Sequence, residues 1–221
     1  LVFEMQSVFP SSTAPALSQV EGLRTGNLSI DEIKGVSVVV PKISAAVALW
    51  NNSLRFPEPV RFSIFGGAGA IEGLAWRDAG AAPWDFSLSL TLKDLRLTEL
   101  TAALGWHRFD GTLSGSIPQV RWAGDSLTSD GTMTLNLFGG SAEIRGMAIE
   151  KPLSPVRSIR MSARLDALDL EQASHTFEFG RISGALSGTI DNLVISQGQP
   201  AEFSAEIHTV DKSGVGQWIS V

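Results

Sequence analysis

Hydrophobic and polar positions alternate with period two through much of the chain, the pattern of a strand that turns every second side chain to the same face. Phe86, Leu88, Leu90 and Leu92 alternate with Ser87, Ser89 and Thr91. The same holds for Val60, Phe62 and Ile64, for Leu113 and Ile117, for Met133, Leu135 and Leu137, and for Phe203, Ala205 and Ile207. Strands with Ser and Thr on one side and aliphatics on the other suit an antiparallel sheet with one solvated face; parallel strands are buried on both faces and read as near-continuous apolar runs. Asp110-Gly111 and Asp130-Gly131 punctuate the pattern as turns. Helical signals are short. Leu97, Leu100 and Leu104 ahead of Gly105 fit two turns with a glycine stop, with Thr98 and Glu99 placed to open them, and a weaker candidate runs from Leu168 to Ser174. The expectation is an all-β fold with too little helix to cover its sheet.

The pattern repeats. Phe65-Gly66-Gly67 recurs as Phe138-Gly139-Gly140, an offset of 73 (138 minus 65), and at that offset Ile71 meets Ile144, Gly73 meets Gly146, Leu92 meets Leu165 and Leu97 meets Leu170. Without a gap, Gly111, Leu113, Ser114, Gly115 and Ile117 then fall on Gly184, Leu186, Ser187, Gly188 and Ile190. Such self-similarity marks a stacked architecture. The expected organisation is one continuous domain: a degraded or partial repeat over 1–59, units over 60–132 and 133–208, and a truncated segment over 209–221. Each unit is expected to hold about five strands, advancing an elongated, curved antiparallel sheet by roughly 24 Å.

Gly66, Gly67, Gly111, Gly115, Gly139, Gly140, Gly184 and Gly188 are the repeated glycines. Glycine inside a strand marks a bend, a bulge or a close approach of another group to the backbone. Two readings stay open: a packing notch for a facing strand in a sandwich or barrel, or a strongly curved sheet whose apolar face is an open trough for a flexible apolar ligand. A long sheet with few helices must close on itself or leave its apolar face for something else. The candidate lining is Phe62, Ile64, Ile71, Phe86, Leu88, Leu90, Leu113 and Ile117 with Leu135, Leu137, Ile144, Ile159, Met161, Leu186 and Ile190, and no charge interrupts it.

The run GxLxGxIPxV, a polar turn, an alternating strand and FGG, from Gly111 to Gly140, followed by FGRISGALSGTIDNLVI, resembles the AsmA-like superfamily of Gram-negative envelope proteins, of the AsmA, TamB and YdbH type, in a C-terminal piece. The resemblance covers about the last two-thirds of the chain. It implies a repeating β-groove carrying phospholipid acyl chains between inner and outer membranes across the periplasm, in a full-length protein anchored in the inner membrane. Two rival expectations remain: an assembly module pairing with outer-membrane protein strands, and a structural or carbohydrate-binding β-sandwich.

Composition narrows the chemistry. Of 221 residues 43% are hydrophobic, the net charge is −6, and the 17 Lys and Arg are scattered singly, which argues against a nucleic-acid partner. The absence of Cys removes thiol nucleophiles, disulfides and thiolate metal sites. No apolar stretch reaches the roughly 18 residues of a spanning helix. The chain opens on Leu1 and stops inside the apolar pattern of Trp218, Ile219 and Val221, and so reads as a piece of a longer protein, with self-association possible at exposed sheet edges. His107, His175 and His208 lack ligand-spaced neighbours, so no metal is expected. GGAGAIEG from Gly66 to Gly73 lacks the following helix of a nucleotide site, so no cofactor is expected. Ser114 and Ser187 lie in strands with no GxSxG elbow, and no enzyme is expected. Asp166, Asp169 and Glu171 form an acidic cluster read as a solvated edge or a cation site, and the tryptophans as a rim to the groove or as edge packing.

Overall fold

Four short strands open the chain as the computed structural model shows it: β1 (Arg24–Ile30), β2 (Ile43–Trp50), β3 (Ser53–Arg55) and β4 (Val60–Ile64). Long strands follow: β5 (Gly67–Arg77), β6 (Asp85–Arg96), β7 (Thr112–Ala123), β8 (Ser126–Leu137), β9 (Gly140–Glu150), β10 (Ser158–Asp169), β12 (Ala185–Ser196) and β13 (Gln199–Val210). Helix α1 (Leu97–Leu104) separates β6 from β7, helix α2 (Leu170–Phe177) follows β10, and the three-residue strands β11 (Arg181–Ser183) and β14 (Trp218–Ser220) complete the set. The structure describes residues 24–30, 43–50, 52–78, 83–154, 156–178, 180–197, 199–211 and 218–220.

One antiparallel sheet of twelve strands runs β1-β2-β3-β5-β6-β7-β8-β9-β10-β12-β13, with β4 paired beside β5; β11 and β14 pair separately. The sheet is curved and unclosed, and the chain is all-β as the alternation predicts. Elements in the two halves start 73 residues apart: β5 and β9 at 67 and 140, β6 and β10 at 85 and 158, α1 and α2 at 97 and 170, β7 and β12 at 112 and 185, β8 and β13 at 126 and 199. From β4 to β8 five strands of the main sheet fall in the first span, and from β9 to β13 four fall in the second, because β11 lies outside that sheet. Strand β8 runs straight through the expected boundary between 132 and 133.

The helices differ in detail from expectation. α1 is preceded by Arg96 in extended conformation with no side-chain cap, so Thr98 does not open it; Glu99 in its first turn pairs with Arg96 at 3.0 Å. It is held instead by sheet contacts, with Arg96 N–H donating to Phe65 O at 2.8 Å and Leu97 N–H to Gly111 O at 2.9 Å, and it ends on Gly105 in the left-handed region. α2 starts two residues later than Leu168, because Asp169 accepts hydrogen bonds from the Glu171 and Gln172 amides and so caps it. Asp130-Gly131 is not a turn. It lies inside β8, where a Cβ on Gly131 would come within 2.6 Å of Ile117 Cα and Ser116 O, so glycine lets β7 approach there.

Bulges set the geometry. Register shifts fall between Glu72 and Ala75 in β5, Leu92 and Leu95 in β6, Ser116 and Gln119 in β7, and Leu165 and Leu168 in β10. Left-handed backbone marks several of them: Gly73 (φ 60°), Asp94 (53°), Gly146 (59°), Ala167 (48°) and Asn192 (52°). Each bulge inserts one residue, so apolar residues three apart, such as Leu92 and Leu95 or Leu165 and Leu168, stay on the same face, and the strand bends. Where α1 meets this face the core is tightest: Leu95, Leu97, Leu113, Ile117, Val120 and Met133 are all buried. Leu97, 1% exposed, has no room to relax. Leu97→Ala should therefore lower the unfolding free energy by about 2–5 kcal/mol, whereas Leu153→Ala, at a side chain 54% exposed, should change it by less than about 0.5 kcal/mol. Urea unfolding of the two variants checks this pair.

Candidate functional site

The strand registers assemble the apolar face row by row. One cross-strand row runs Phe62, Gly69, Leu92, Gly115, Met133, Ile144, Ala163, Ile190, Ala205. The next runs Leu95, Leu113, Leu135, Ala142, Leu165, Gly188, Ile207. A third, toward the other end of the strands, runs Trp76, Phe86, Trp122, Leu127, Ile149, Ile159, Ile195. Between the first and third, Ile71, Leu90 and Ile117 lie in register. No charged residue occurs in any of these rows. The opposite face carries Ser87, Thr91, Arg121, Thr134 and Glu143 on the intervening positions.

Burial divides the expected lining in two. Leu113 (6% exposed), Ile117 (2%) and Met161 (9%) are buried by neighbouring side chains. Phe62, Ile64, Ile71, Phe86, Leu88, Leu90, Leu135, Leu137, Ile144, Ile159, Leu186 and Ile190 are half-buried, and Ile64, Leu88, Leu90, Leu135, Leu137 and Ile144 also pack against the core cluster. The repeated glycines serve the sheet itself. Cβ atoms on Gly67 and Gly140 would collide with the Lys93 and Asp166 carbonyls, and one on Gly188 with the Glu206 carbonyl of the next strand, while Gly115 faces Thr132 O and Met133. Gly66 and Gly139 lie at left-handed turn positions, and Gly111 and Gly184 precede β7 and β12 with φ of 146° and 140°. The space that these strand glycines leave is taken by backbone of the same sheet, not by a facing layer.

Two features frame the face. At one end of the strands Trp76, Trp84, Phe86 and Trp122 form a continuous aromatic cluster, with centroids 5.4 to 6.1 Å apart. Trp122 Nε1 donates to Gly124 O at 2.8 Å. Further along the same end, a cavity of about 300 Å³ opens between the C-terminal turn of α1 (Leu104, Gly105, Trp106) and Ile159, Ile195, Arg157 and Gln197. Its size sits at the small end of ligand pockets. At the other end, Phe109, Phe138 and Phe177 pack together with centroids 5.7 to 6.0 Å apart, tying α2 to the start of β7.

Leu127, Ile149 and Ile195 share the apolar face and lie outside the expected lining; Trp76 and Trp122, expected as rim or edge packing, and Met133, expected on the apolar side of its strand, stand on it too. Their signal is the three-residue step at each bulge, which shifts the phase of the alternation.

Ser114, Ser187, Asp169 and His107, among the polar groups singled out for chemistry, have structural partners. Ser114 Oγ accepts from the Asp94 amide at 2.9 Å and Ser187 Oγ from the Ala167 amide at 2.9 Å, so both hydroxyls clamp bulges. Ser89 Oγ donates to Pro118 O at 2.7 Å beside the β7 bulge, and Ser162 Oγ, 73 residues on, accepts from the Asn192 amide at 3.4 Å. Asp169 is the α2 cap. His107 packs 6.0 Å from the Phe177 ring, His175 lies with Asp110 and Glu171 around a cavity of about 450 Å³, and His208 is exposed on β13. GGAGAIEG lies at the turn into β5 and within it, and β6 follows rather than a helix. Among the described residues no three His, Cys, Asp or Glu side chains gather to hold a metal ion, and no helix is long and apolar enough to cross a membrane.

No protein-family model, no curated protein and no solved structure matches the chain.

The clamps are measurable. Ser187→Ala leaves the Ala167 amide without that acceptor and should cost about 1 kcal/mol. Ala167→Gly removes the penalty of a left-handed alanine, and should raise stability by up to about 1 kcal/mol once the greater backbone entropy of glycine is subtracted. Paired denaturant titrations read both.

Proposed function

We propose that the chain is a non-enzymatic segment of a periplasmic lipid-transfer protein whose apolar face carries phospholipid acyl chains between inner and outer membranes. The observation that carries this reading is a set of charge-free apolar rows, half-buried along most of their length, on a curved sheet that does not close. Burying an acyl chain yields about 0.8 kcal/mol per methylene wherever it lies, so a uniformly apolar path is nearly flat and lets a chain slide, whereas a charge in the path would be a barrier. Contact with the chain falls to the half-buried positions such as Phe86, Leu88, Leu90, Ile144 and Ile190. At the cavity under the α1 turn, Arg157 stands where it would meet an anionic headgroup.

Transfer of this kind needs no catalytic group. It needs an apolar lining and a slot through which the headgroup stays wet. The resemblance of the Gly111–Gly140 run to AsmA-like envelope proteins supports the periplasmic setting and the phospholipid cargo.

Purified chain should carry co-purifying phospholipid detectable by native mass spectrometry. For lysophospholipids of increasing chain length, affinity should rise by up to about fourfold per methylene, the equivalent of 0.8 kcal/mol. Leu90→Asp, on the apolar face, should weaken binding by more than about tenfold, while Thr91→Asp, on the polar face of the same strand, should leave it unchanged with both variants folded by circular dichroism. Equal effects of the two substitutions, or a chain that binds no lipid, would contradict the reading.

A further inference from the structure

We propose that a cleft on the polar face of the sheet, floored by Ala68 and Ala70, binds a phosphomonoester between Arg61 and Lys93. The strand registers build it. Arg61 in β4 lies across from Ala70 in β5, and Ala70 across from Thr91 in β6. Two residues along, Ser63 lies across from Ala68, and Ala68 across from Lys93. Each alanine is thus flanked by a cation on one side and a hydroxyl on the other, with the two cations at diagonal corners. β4 and β6 stand about 10 Å apart, twice the spacing of neighbouring strands. The alanines between them fill little of that width, and a cavity of about 350 Å³ opens there, lined by these six residues with Phe62 and Gly69.

The cations have no anion of their own. Neither the Arg61 guanidinium nor the Lys93 ammonium makes an ion pair or a side-chain hydrogen bond among the described residues, and no carboxylate lines the cavity. Asp94, next in the chain to Lys93, accepts from Ser114 Oγ at 3.2 Å, and Glu72, the next residue on this face of β5, lies outside the lining. The second half of the chain shows the same position filled. At the offset of 73, Ala70 becomes Glu143, Arg61 becomes Thr134, Thr91 becomes Arg164 and Lys93 becomes Asp166. Glu143 stands between Thr134 and Arg164 in the register, and its Oε1 accepts from Arg145 Nε at 2.6 Å. The first half has two cations, an alanine where that carboxylate stands, and room above it for an anion from outside.

Phosphate suits this pair of cations better than a carboxylate does. An arginine fork takes two oxygens of one anion, and a lysine adds a point charge. The fork uses both oxygens of a carboxylate, whereas a phosphomonoester has three, with a charge of about −1.5 to −2, and so also reaches Lys93 and the hydroxyls of Ser63 and Thr91. The site lies on the face opposite the acyl-chain rows and stands whether or not lipid occupies them.

Glycerol 3-phosphate titrated into the full chain at low ionic strength, where screening is weak, should bind at one site by calorimetry. Arg61→Gln and Lys93→Gln should each weaken it more than about tenfold. Ala70→Glu restores a carboxylate where Glu143 shows that the fold accepts one, and should abolish binding in a chain still folded by circular dichroism. Arg164→Gln, on the same face but outside the cavity, should leave binding unchanged. Phosphatidylcholine vesicles with and without phosphatidic acid separate the two carriers of such a group: retention only by the phosphatidic acid vesicles, lost in Ala70→Glu, assigns a lipid headgroup, and binding of glycerol 3-phosphate without retention assigns a soluble ester. No binding of glycerol 3-phosphate, equal losses from Arg61→Gln and Arg164→Gln, or undiminished binding by Ala70→Glu would each overturn the proposal.

Discussion

Everything in this chain depends on keeping one face of a long sheet apolar while the sheet bends, and the β-bulge is the local structure that does both. Strict alternation places residues two apart on one side, and a slip of one residue would turn the apolar set to water. By inserting one residue, each bulge allows Leu92 and Leu95, or Leu165 and Leu168, to point the same way, and it bends the strand that carries it. At Asp94, Ala167 and Asn192 the inserted geometry is left-handed and occupied by a residue with a side chain, at a cost of about 1–2 kcal/mol for the alanine and less for Asp94 and Asn192. Hydroxyls on the polar face offset part of that cost. Ser114, Ser187 and Ser162 accept the amides of those residues.

The consequence is an internal division of labour between the two faces. Serines on the solvated side fix the bulges, and aliphatics on the other side form the rows. Near α1, Leu95, Leu97, Leu113, Ile117 and Met133 bury one another, so this stretch is core. Away from it, Phe86, Ile159 and Ile190 remain half-buried, because the helices are eight residues long and no second sheet layer lies over them among the described residues. Apolar surface left in this state by the fold is the physical ground for a lipid-like ligand.

Much of this was legible in the amino-acid order because the governing period is local. The strand through Phe86 and Leu92, the helix from Leu97 to Leu104 and its Gly105 stop follow from periodicity and glycine chemistry alone. The three-residue apolar step from Leu92 to Leu95 has helical spacing, whereas Leu95 belongs to β6 beyond a bulge. Asp130-Gly131 carries the composition of a turn, yet its glycine admits the neighbouring strand at Ile117 and Ser116. Cross-strand neighbours such as Phe86 and Trp122, or Ile159 and Ile195, depend on register, which one-dimensional patterning does not contain. The serines suffered most from this limit, since their partners lie 20 or more residues away.

A trough of this kind is the outcome of one construction, a sheet that grows strand by strand and does not close. The central claim concerns which face meets the acyl chain, and paramagnetic relaxation by a doxyl-labelled phospholipid reads that face directly. The account predicts strong broadening of the methyl signals of Leu88, Leu90, Ile144 and Ile190, with Thr91, Thr134 and Ala148 on the opposite face unaffected. Broadening spread evenly over both faces, or absent from the apolar one, would contradict it.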